Sequence, residues 1–323
     1  MSRAVTPLHA RFPRFAAAGR GGDRSKRLRK QKLRGWSNAG HTPSCHKVFD
    51  FIYNTDLVYK PQCRKLCDAH CCNFFRYKSG PSKYVHEIPL LPGEWQYMSS
   101  KGYLDQYKDA EHTVLKVSLN VGVLSYEAIK IPTTGCPCDH WRRPTVCRLY
   151  PLAPRYDLER GFVGVDSAFS LMEIAEEFLG VPRACQVDQV PFHEVEKFIA
   201  ISKAIETEPV MMFRFMVLDL LKTFLRAGLR DNQDQIVDED SNFSDPAQLS
   251  NAFELIQLAF LRGVVIDWRQ AKMALEELGA RFKKMYGPAF RLGDSQLPGS
   301  CARPESALIG SHRATDPTAA GAG

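Results

Sequence analysis

The spacing of the cysteines constrains this chain more than any other feature of its sequence. Four of the ten cysteines fall within residues 63–72, CRKLCDAHCC. Cys63, Cys67 and Cys71 recur every four residues, and each such step on an α-helix rotates by only about 40°, so the three thiols would share one face. Cysteines placed in this way on a rigid helix are poorly set for a disulfide but well set to bind metal. With Cys72 as a further thiol, the spacing favours a metal site, and redox disulfide chemistry is the alternative.

A second group of cysteines follows in residues 135–151, GCPCDHWRRPTVCRLYP, where three prolines restrict the backbone and favour a defined loop. Cys185, farther along the chain, is either one more ligand or a small buried apolar residue. Four thiolates satisfy one zinc ion or one iron–sulfur cluster, so the seven thiols of the two groups, or eight with Cys185, could hold two centres. Cys45 and Cys301 are not predicted to bind metal. The predicted metal ligands are Cys63, Cys67, Cys71, Cys72, Cys136, Cys138, Cys147 and Cys185.

Basic residues accompany both groups of cysteines. Their charge would lower the thiol pKa values and so favour the thiolate form that binds metal. Arg148 directly follows Cys147 and is a candidate cofactor-binding residue, because it can donate a hydrogen bond to a ligand sulfur. The alternative for Arg148 is an ordinary position on a solvated surface. His70 and His140 are alternative nitrogen ligands. The remaining basic residues beside the cysteines are Arg64, Lys65, Arg142 and Arg143.

The composition fits a globular protein in a reducing compartment. Hydrophobic residues make up 44% of the chain and charged residues 24%, so 323 residues can bury a core without covalent cross-links. The N-terminal region lacks the apolar segment of a secretory signal. The most apolar stretch, 209–225, contains Arg214, Asp219 and Lys222 and is expected to be a buried helix. We therefore expect a cytoplasmic protein without a membrane partner, in which clustered thiols favour metal over disulfides.

The net charge of +7 is concentrated at one end of the chain. Arginines and lysines crowd the residues before position 35, where Asp23 is the single acidic residue, and the rest of the chain is near neutral or acidic. Residues 1–44 also lack a hydrophobic period, which predicts a disordered arm. The arm can contact RNA or anionic lipid without specificity, act as an organelle-targeting sequence, or be an extension without a role. No specific nucleic-acid binding is expected.

The pattern of elements predicts an α+β fold, mainly α-helical. A cysteine-rich metal-binding domain with a small β-hairpin would carry a C-terminal helical extension. Residues 112–119 and 125–132 alternate as strands do, and Asn120–Gly122 fits the turn between them. The predicted parts are a disordered basic arm over 1–44, the cysteine-cluster domain over 45–190, a helical extension packed on it over 191–290, and a flexible tail over 291–323.

Start and stop signals delimit the predicted helices. Ser170 and Glu173 form a capping-box pattern, and Gly180 occupies the position after that helix. Asp245 is an N-cap directly before a proline. Glu94 is expected at the start of a helix, where its charge interacts with the helix dipole. The predicted helices cover residues 91–107, 170–180, 192–206, 209–227, 246–262 and 267–287.

The two cysteine groups resemble those of the YkgJ-type cysteine-cluster family, whose members are described as zinc- or iron-chelating domains. The spacing C-x3-C-x3-CC over 63–72 resembles the first family signature, with one more residue in each gap. The resemblance covers roughly residues 60–190 and implies metal chelation. A related group with a similar cysteine cluster, the flagellin lysine N-methylases, implies protein modification as an enzymatic alternative. The second signature, RPxxCRxYP, is matched by Arg143, Pro144, Cys147, Arg148, Tyr150 and Pro151.

Three functional hypotheses follow from these features. The first is a metal-binding protein whose thiolates hold zinc, or iron, including iron in an iron–sulfur cluster. The second is an iron- or iron–sulfur-dependent enzyme, such as one that modifies proteins, with an open coordination position. The third is nucleic-acid binding through the basic arm. The sequence has no glycine-rich nucleotide-binding turn, and His193–Glu194 lacks the second histidine of a zinc protease, so whether the protein is an enzyme stays open.

Overall fold

The structure, a computed structural model, describes residues 45–57, 86–107, 109–132, 139, 141–166, 170–181, 190–237, 243, 245–287, 290 and 292. About 58% of these residues are helical, and the strands form small antiparallel sheets. The predicted mixed, mainly helical fold is therefore confirmed. The predicted arm over 1–44 lies outside the described residues, as does the predicted tail apart from Leu292.

A three-stranded antiparallel sheet lies at the centre of the first half of the chain. Its strands are β1 (His86–Leu90), β2 (Glu111–Leu119) and β3 (Gly122–Ile131), in the order β1-β3-β2. Leu119 pairs with Gly122, so two residues connect β2 to β3, and the predicted hairpin is confirmed. Strand β1 was not predicted, because it is short and contains a proline that is tolerated only at a sheet edge.

A second antiparallel hairpin joins β4 (Ala153–Asp157) to β5 (Gly161–Asp166), and the sequence did not predict it. Gly161 adopts a φ of 78° at the start of β5. A Cβ atom at this position would lie 2.1 Å from Oε1 of Glu206, so the helix that carries Glu206 packs directly on the turn. Oε2 of Glu206 accepts a hydrogen bond of 3.0 Å from the backbone N–H of Phe162.

Nine helices lie in the described part of the chain, together with a 3-10 turn at Tyr103–Gln106. The helices are α1 (Cys45–Asn54), α2 (Glu94–Ser100), α3 (Thr145–Leu149), α4 (Leu171–Phe178), α5 (Phe192–Glu206), α6 (Pro209–Asp231), α7 (Gln233–Ile236), α8 (Pro246–Leu261) and α9 (Trp268–Tyr286).

Local signals placed most helix ends correctly. Ser170 and Glu173 form both hydrogen bonds of the capping box of α4, and Gly180 has a φ of 66° after that helix. The side chain of Asp245 accepts a hydrogen bond from Ala247, as expected of an N-cap. One prediction is wrong: residues 91–107 do not form a single helix, because α2 ends at Ser100 and Gly102 turns the chain with a φ of 67°.

Two clusters of buried apolar residues form the core, and α6 contributes to both. The first cluster combines α1, the sheet, the second hairpin, α5, the start of α6 and α9, and the second combines α4, the end of α6, α8 and the start of α9. Phe49 and Ile129 share the first cluster with Phe198 and Phe213, and all four are fully buried. The chain before and after residue 190 therefore contributes to one core. The division at 190/191 stays a prediction.

Helix α6 includes the stretch that the sequence predicts to be a buried helix. Met211, Met212 and Phe213 are buried, and so is Lys222, whose Nζ lies 2.7 Å from Oδ2 of Asp166. Across the described ranges, no helix has both the length and the apolar character needed to cross a bilayer.

Candidate functional site

Cys147 is the one predicted metal ligand that falls within the described residues. It lies in the short helix α3, it is 9% exposed, and its thiol is not in a disulfide. Among the described residues, no group of three or more His, Cys, Asp or Glu side chains is placed to hold a metal ion. The other predicted ligands lie outside the described residues, and they are Cys63, Cys67, Cys71, Cys72, Cys136, Cys138 and Cys185. His70 and His140 lie outside them as well.

The carboxylate of Glu94 lies beside α3 and is completely buried. Glu94 is the first residue of α2 and follows Gly93, which has a φ of 81°. Its Oε2 accepts a hydrogen bond of 2.9 Å from the backbone N–H of Leu91. Its Oε1 accepts bonds of 2.6 Å from both the backbone N–H and the hydroxyl of Thr145, and one of 2.9 Å from the hydroxyl of Tyr53. One side chain thus joins α1, α2 and α3.

Burial determines the electrostatics of this group of side chains. Burial raises the pKa of Glu94, and the hydrogen bonds from Thr145, Leu91 and Tyr53 oppose that rise without cancelling it. Burial likewise raises the pKa of Tyr53 well above its ordinary value, and the neighbouring charge of Glu94 raises it further. Tyr53 therefore stays protonated and donates its hydroxyl hydrogen to Glu94.

Arg148 is 2% exposed, so the solvated surface position considered above does not apply. Its Nε donates to the carbonyl of Arg143 at 3.1 Å, its Nη1 donates to the carbonyl of Thr55 at 3.4 Å, and its Nη2 donates to the carbonyl of Trp141. Its guanidinium carbon also lies 4.6 Å from the centre of the Tyr53 ring. These contacts hold the end of α1 against the segment that precedes α3. Within the described residues Arg148 thus bonds to carbonyls, and its predicted bond to a ligand sulfur stays a prediction.

Arg143 continues this connection to Leu57, the last described residue before 58–85. Its Nη2 donates a hydrogen bond of 3.3 Å to the carbonyl of Leu57. Its Nε is buried and has no hydrogen-bond partner in the described part of the chain. A buried guanidinium N–H without an acceptor is unfavourable, so this atom is suited to an anionic partner.

Gln106 contacts two described residues, Asp139 and Arg142, that follow the segment carrying Cys136 and Cys138. Its Oε1 accepts a hydrogen bond of 2.6 Å from the backbone N–H of Asp139. Its Nε2 donates to the carbonyl of Arg142 at 2.9 Å. Sequence reasoning missed Gln106, and no local signal identifies this role, because Asp139 and Arg142 are more than thirty positions away.

The ends of both predicted cysteine segments therefore lie on one scaffold. Segment 58–85 begins after Leu57, which bonds to Arg143, and ends before His86, which pairs with Ile131 in the sheet. Ile131 is the last residue of β3, and segment 133–138 begins after the next residue, Pro132, and ends before Asp139. Helix α3, which carries Cys147, packs against β1.

Comparison of the chain with family models, with curated proteins and with solved structures found no match. The resemblance to cysteine-cluster proteins therefore stays a prediction based on the two motifs. The structure accounts for two arginines of the second motif, since Arg143 and Arg148 connect the motif to the end of α1. Thr145, at one of the variable positions of that motif, binds Glu94.

Proposed function

We propose that this protein binds metal through cysteine thiolates, and that the metal is zinc or iron, including iron in an iron–sulfur cluster. The observation that carries the proposal is that the residues flanking both cysteine segments belong to the scaffold that holds α3, the helix of Cys147. Four described residues flank the two cysteine segments, namely Leu57, His86, Pro132 and Asp139, and each belongs to the scaffold that also holds α3.

The Nε–H of Arg143, which has no acceptor among the described residues, supports the same proposal. Thiolate ligands concentrate negative charge, and a buried guanidinium beside them offsets part of that charge and fixes the orientation of a sulfur. Arg143 Nε is buried at the point where the chain enters segment 58–85, six residues before Cys63. The role proposed for Arg148 is more indirect, because its bonds to backbone carbonyls fix the position of the end of α1 relative to Cys147.

Anaerobic purification followed by elemental analysis and a visible spectrum tests the proposal. We expect stoichiometric metal, with a colourless sample for zinc and visible absorbance that changes on reduction for an iron–sulfur cluster. Cys71→Ser and Cys147→Ser should each lose most of the bound metal, because a hydroxyl replaces a soft thiolate ligand. Cys301→Ser, which removes a cysteine outside both groups, is the matched control and should keep its metal.

Because Cys147 is buried, the unfolding midpoint of each variant is measured alongside its metal content. A protein that is folded and metal-free supports the assignment of the substituted cysteine as a ligand. Unchanged metal stoichiometry in both Cys71→Ser and Cys147→Ser contradicts the proposal. An iron centre that binds added cyanide or nitric oxide has an open coordination position, and this result would favour the enzymatic alternative.

A further inference from the structure

Among the described residues, strand β2 is an unpaired edge of the three-stranded sheet. It pairs with β3 on one side, and no described strand pairs with its other side. It runs for nine residues in continuous register with β3, without a bulge and without a proline. Proteins usually protect such edges with prolines, bulges or several charges. The exposed centre of β2 carries a single charged side chain, that of Lys116.

The outward-facing peptide groups of β2 follow from the hydrogen bonds of β3. Val123 lies opposite Ser118, but its N–H donates to the carbonyl of Leu292 at 3.3 Å, on the side away from β2. Opposed residues in an antiparallel pair either bond to each other or both point away, so the N–H and C=O of Ser118 point outward. Every second residue shares this orientation. The outward-facing residues are therefore His112, Val114, Lys116 and Ser118.

Apolar side chains are exposed on both faces of this edge. Leu115 is 63% exposed and Val117 is 40% exposed on one face, and Val114 is 41% exposed on the other. A helix laid beside the edge could cover these side chains but would leave the row of peptide groups unbonded. An extended strand would cover both faces and satisfy that row as well.

We propose that β2 pairs with β2 of a second copy of this chain, antiparallel, about a two-fold axis at Leu115. The two strands can bond only if outward-facing residues lie opposite each other, so a two-fold axis perpendicular to the sheet must lie at a residue and not between two residues. The residues at the centre of the strand that can take this position are Val114, Leu115 and Lys116. An axis at Lys116 sets two lysines opposite each other. An axis at Val114 sets the long side chain of Lys116 opposite His112, whose ring already stacks on Trp95 and lies 3.2 Å from Oε2 of Glu127.

The register centred on Leu115 avoids both of these arrangements and is self-complementary. It places Lys116 opposite Val114 and His112 opposite Ser118 on one face. On the other face the two Leu115 side chains meet, with Thr113 opposite Val117 on either side. Like charges directly opposite each other destabilise a pair of strands, whereas aliphatic and β-branched pairs stabilise it. The dimer has a continuous six-stranded sheet in which β2 is no longer an edge.

The first test is the mass of the full-length protein in solution, measured by sedimentation over a range of concentrations. We expect a dimer. Val114→Pro removes an outward N–H and leaves the bonds from β2 to β3 intact, so it should weaken dimerisation about thirtyfold, because each dimer loses two equivalent hydrogen bonds. Val114→Ala keeps the N–H and is the matched control. A full-length chain that is monomeric throughout, or a dimer that Val114→Pro leaves unchanged, overturns the proposal.

The second test reports the register and does not depend on how well the proline variant folds. In the proposed dimer the two copies of residue 115 are a non-hydrogen-bonded pair with Cα atoms about 4.5 Å apart, within the range of a disulfide. Leu115→Cys should therefore give a cross-linked dimer on mild oxidation, beyond any formed by the unsubstituted chain. Val114→Cys and Lys116→Cys report the two rejected registers. Cross-linking through either of these in preference to Leu115→Cys overturns the proposed axis.

Discussion

A single carboxylate, that of Glu94, joins three segments that lie far apart in the sequence. Its four hydrogen-bond donors come from α1, from the turn before α2 and from α3. Each donor is buried, so each would be costly without an acceptor. The hydroxyl of Tyr53 bonds to Glu94 and its ring contacts the guanidinium of Arg148, so the two ionisable groups share one aromatic neighbour.

Glu94→Gln tests the protonation state of this carboxylate. The folded protein holds the pKa of Glu94 above its ordinary value of 4.5, so the folded state binds this proton more tightly than the unfolded state does. The stabilisation is complete below the unfolded pKa and is lost as pH rises through the folded pKa. The unfolding free energy of the wild type, relative to Glu94→Gln, should therefore fall as pH rises from about 4.5, as measured by denaturant titrations.

The control for this comparison is Glu159→Gln, because Glu159 is an exposed residue of the turn between β4 and β5. Its stability relative to the wild type should show a much weaker dependence on pH. A constant difference between the wild type and Glu94→Gln over the same pH range would contradict a raised pKa at Glu94.

At the scale of elements, the backbone of α6 packs directly against the backbone of the segment that follows α8. A Cβ atom on Gly228 would lie 1.9 Å from the carbonyl oxygen of Val265. Asn232, one turn later, donates a bond of 2.8 Å to the carbonyl of Gly228 and reaches the carbonyl of Val264 at 3.4 Å. The absence of a side chain at 228 therefore determines how closely these two elements pack.

Gly228→Ala should destabilise the protein by about 2 kcal/mol, although alanine is the better helix former. The gain in helix propensity is about 1 kcal/mol. The contact with the carbonyl oxygen of Val265 forces the two elements apart and costs about 3 kcal/mol, which leaves the net loss. Denaturant titration measures the change. Gly164→Ala is the matched control, since nothing lies within 4 Å of its added Cβ, and its change should be small. Equal stability of both variants would contradict the close packing.

The elements that the sequence predicted correctly are those with local signals. The capping box of Ser170 and Glu173 and the N-cap at Asp245 act within one turn of helix, so sequence alone locates those ends. Strands β1 and β4 are short and contain Pro89 and Pro154, so their sequences read as loops. Strand β1 also pairs with β3, which lies much farther along the chain.

Sequence reasoning singled out Glu94, Arg143 and Arg148 but predicted none of their connections. The cysteine spacing suggested thiolate chemistry, and Arg148 was selected because it adjoins Cys147. The bonds of Glu94 to Thr145 and of Arg148 to Thr55 span 51 and 93 residues. Such contacts depend on how the elements pack, and no periodicity or capping rule encodes them.

At the scale of the whole molecule, aromatic contacts cross the boundary at residue 190. The ring of Phe162 lies 6.2 Å from that of Phe198, and Tyr156 lies 6.0 Å from Phe215. Lys222 of α6 adds a buried ion pair of 2.7 Å with Asp166 of β5. An ion pair that loses one partner leaves an uncompensated buried charge, so separating these parts is costly in polar as well as apolar terms.

A fragment of residues 45–190 should therefore fail to fold cooperatively, even with zinc or iron supplied. Without α5, α6 and α9 it would expose the side chains that Phe198, Phe213 and Phe282 cover in the whole chain. We expect no sigmoidal denaturant transition and increased binding of a hydrophobic dye, both measured against a 45–292 control that keeps every described residue. A cooperative transition of the short fragment would show instead that the cysteine-bearing half is an independent domain, because its own core would then suffice to offset the conformational entropy lost on folding.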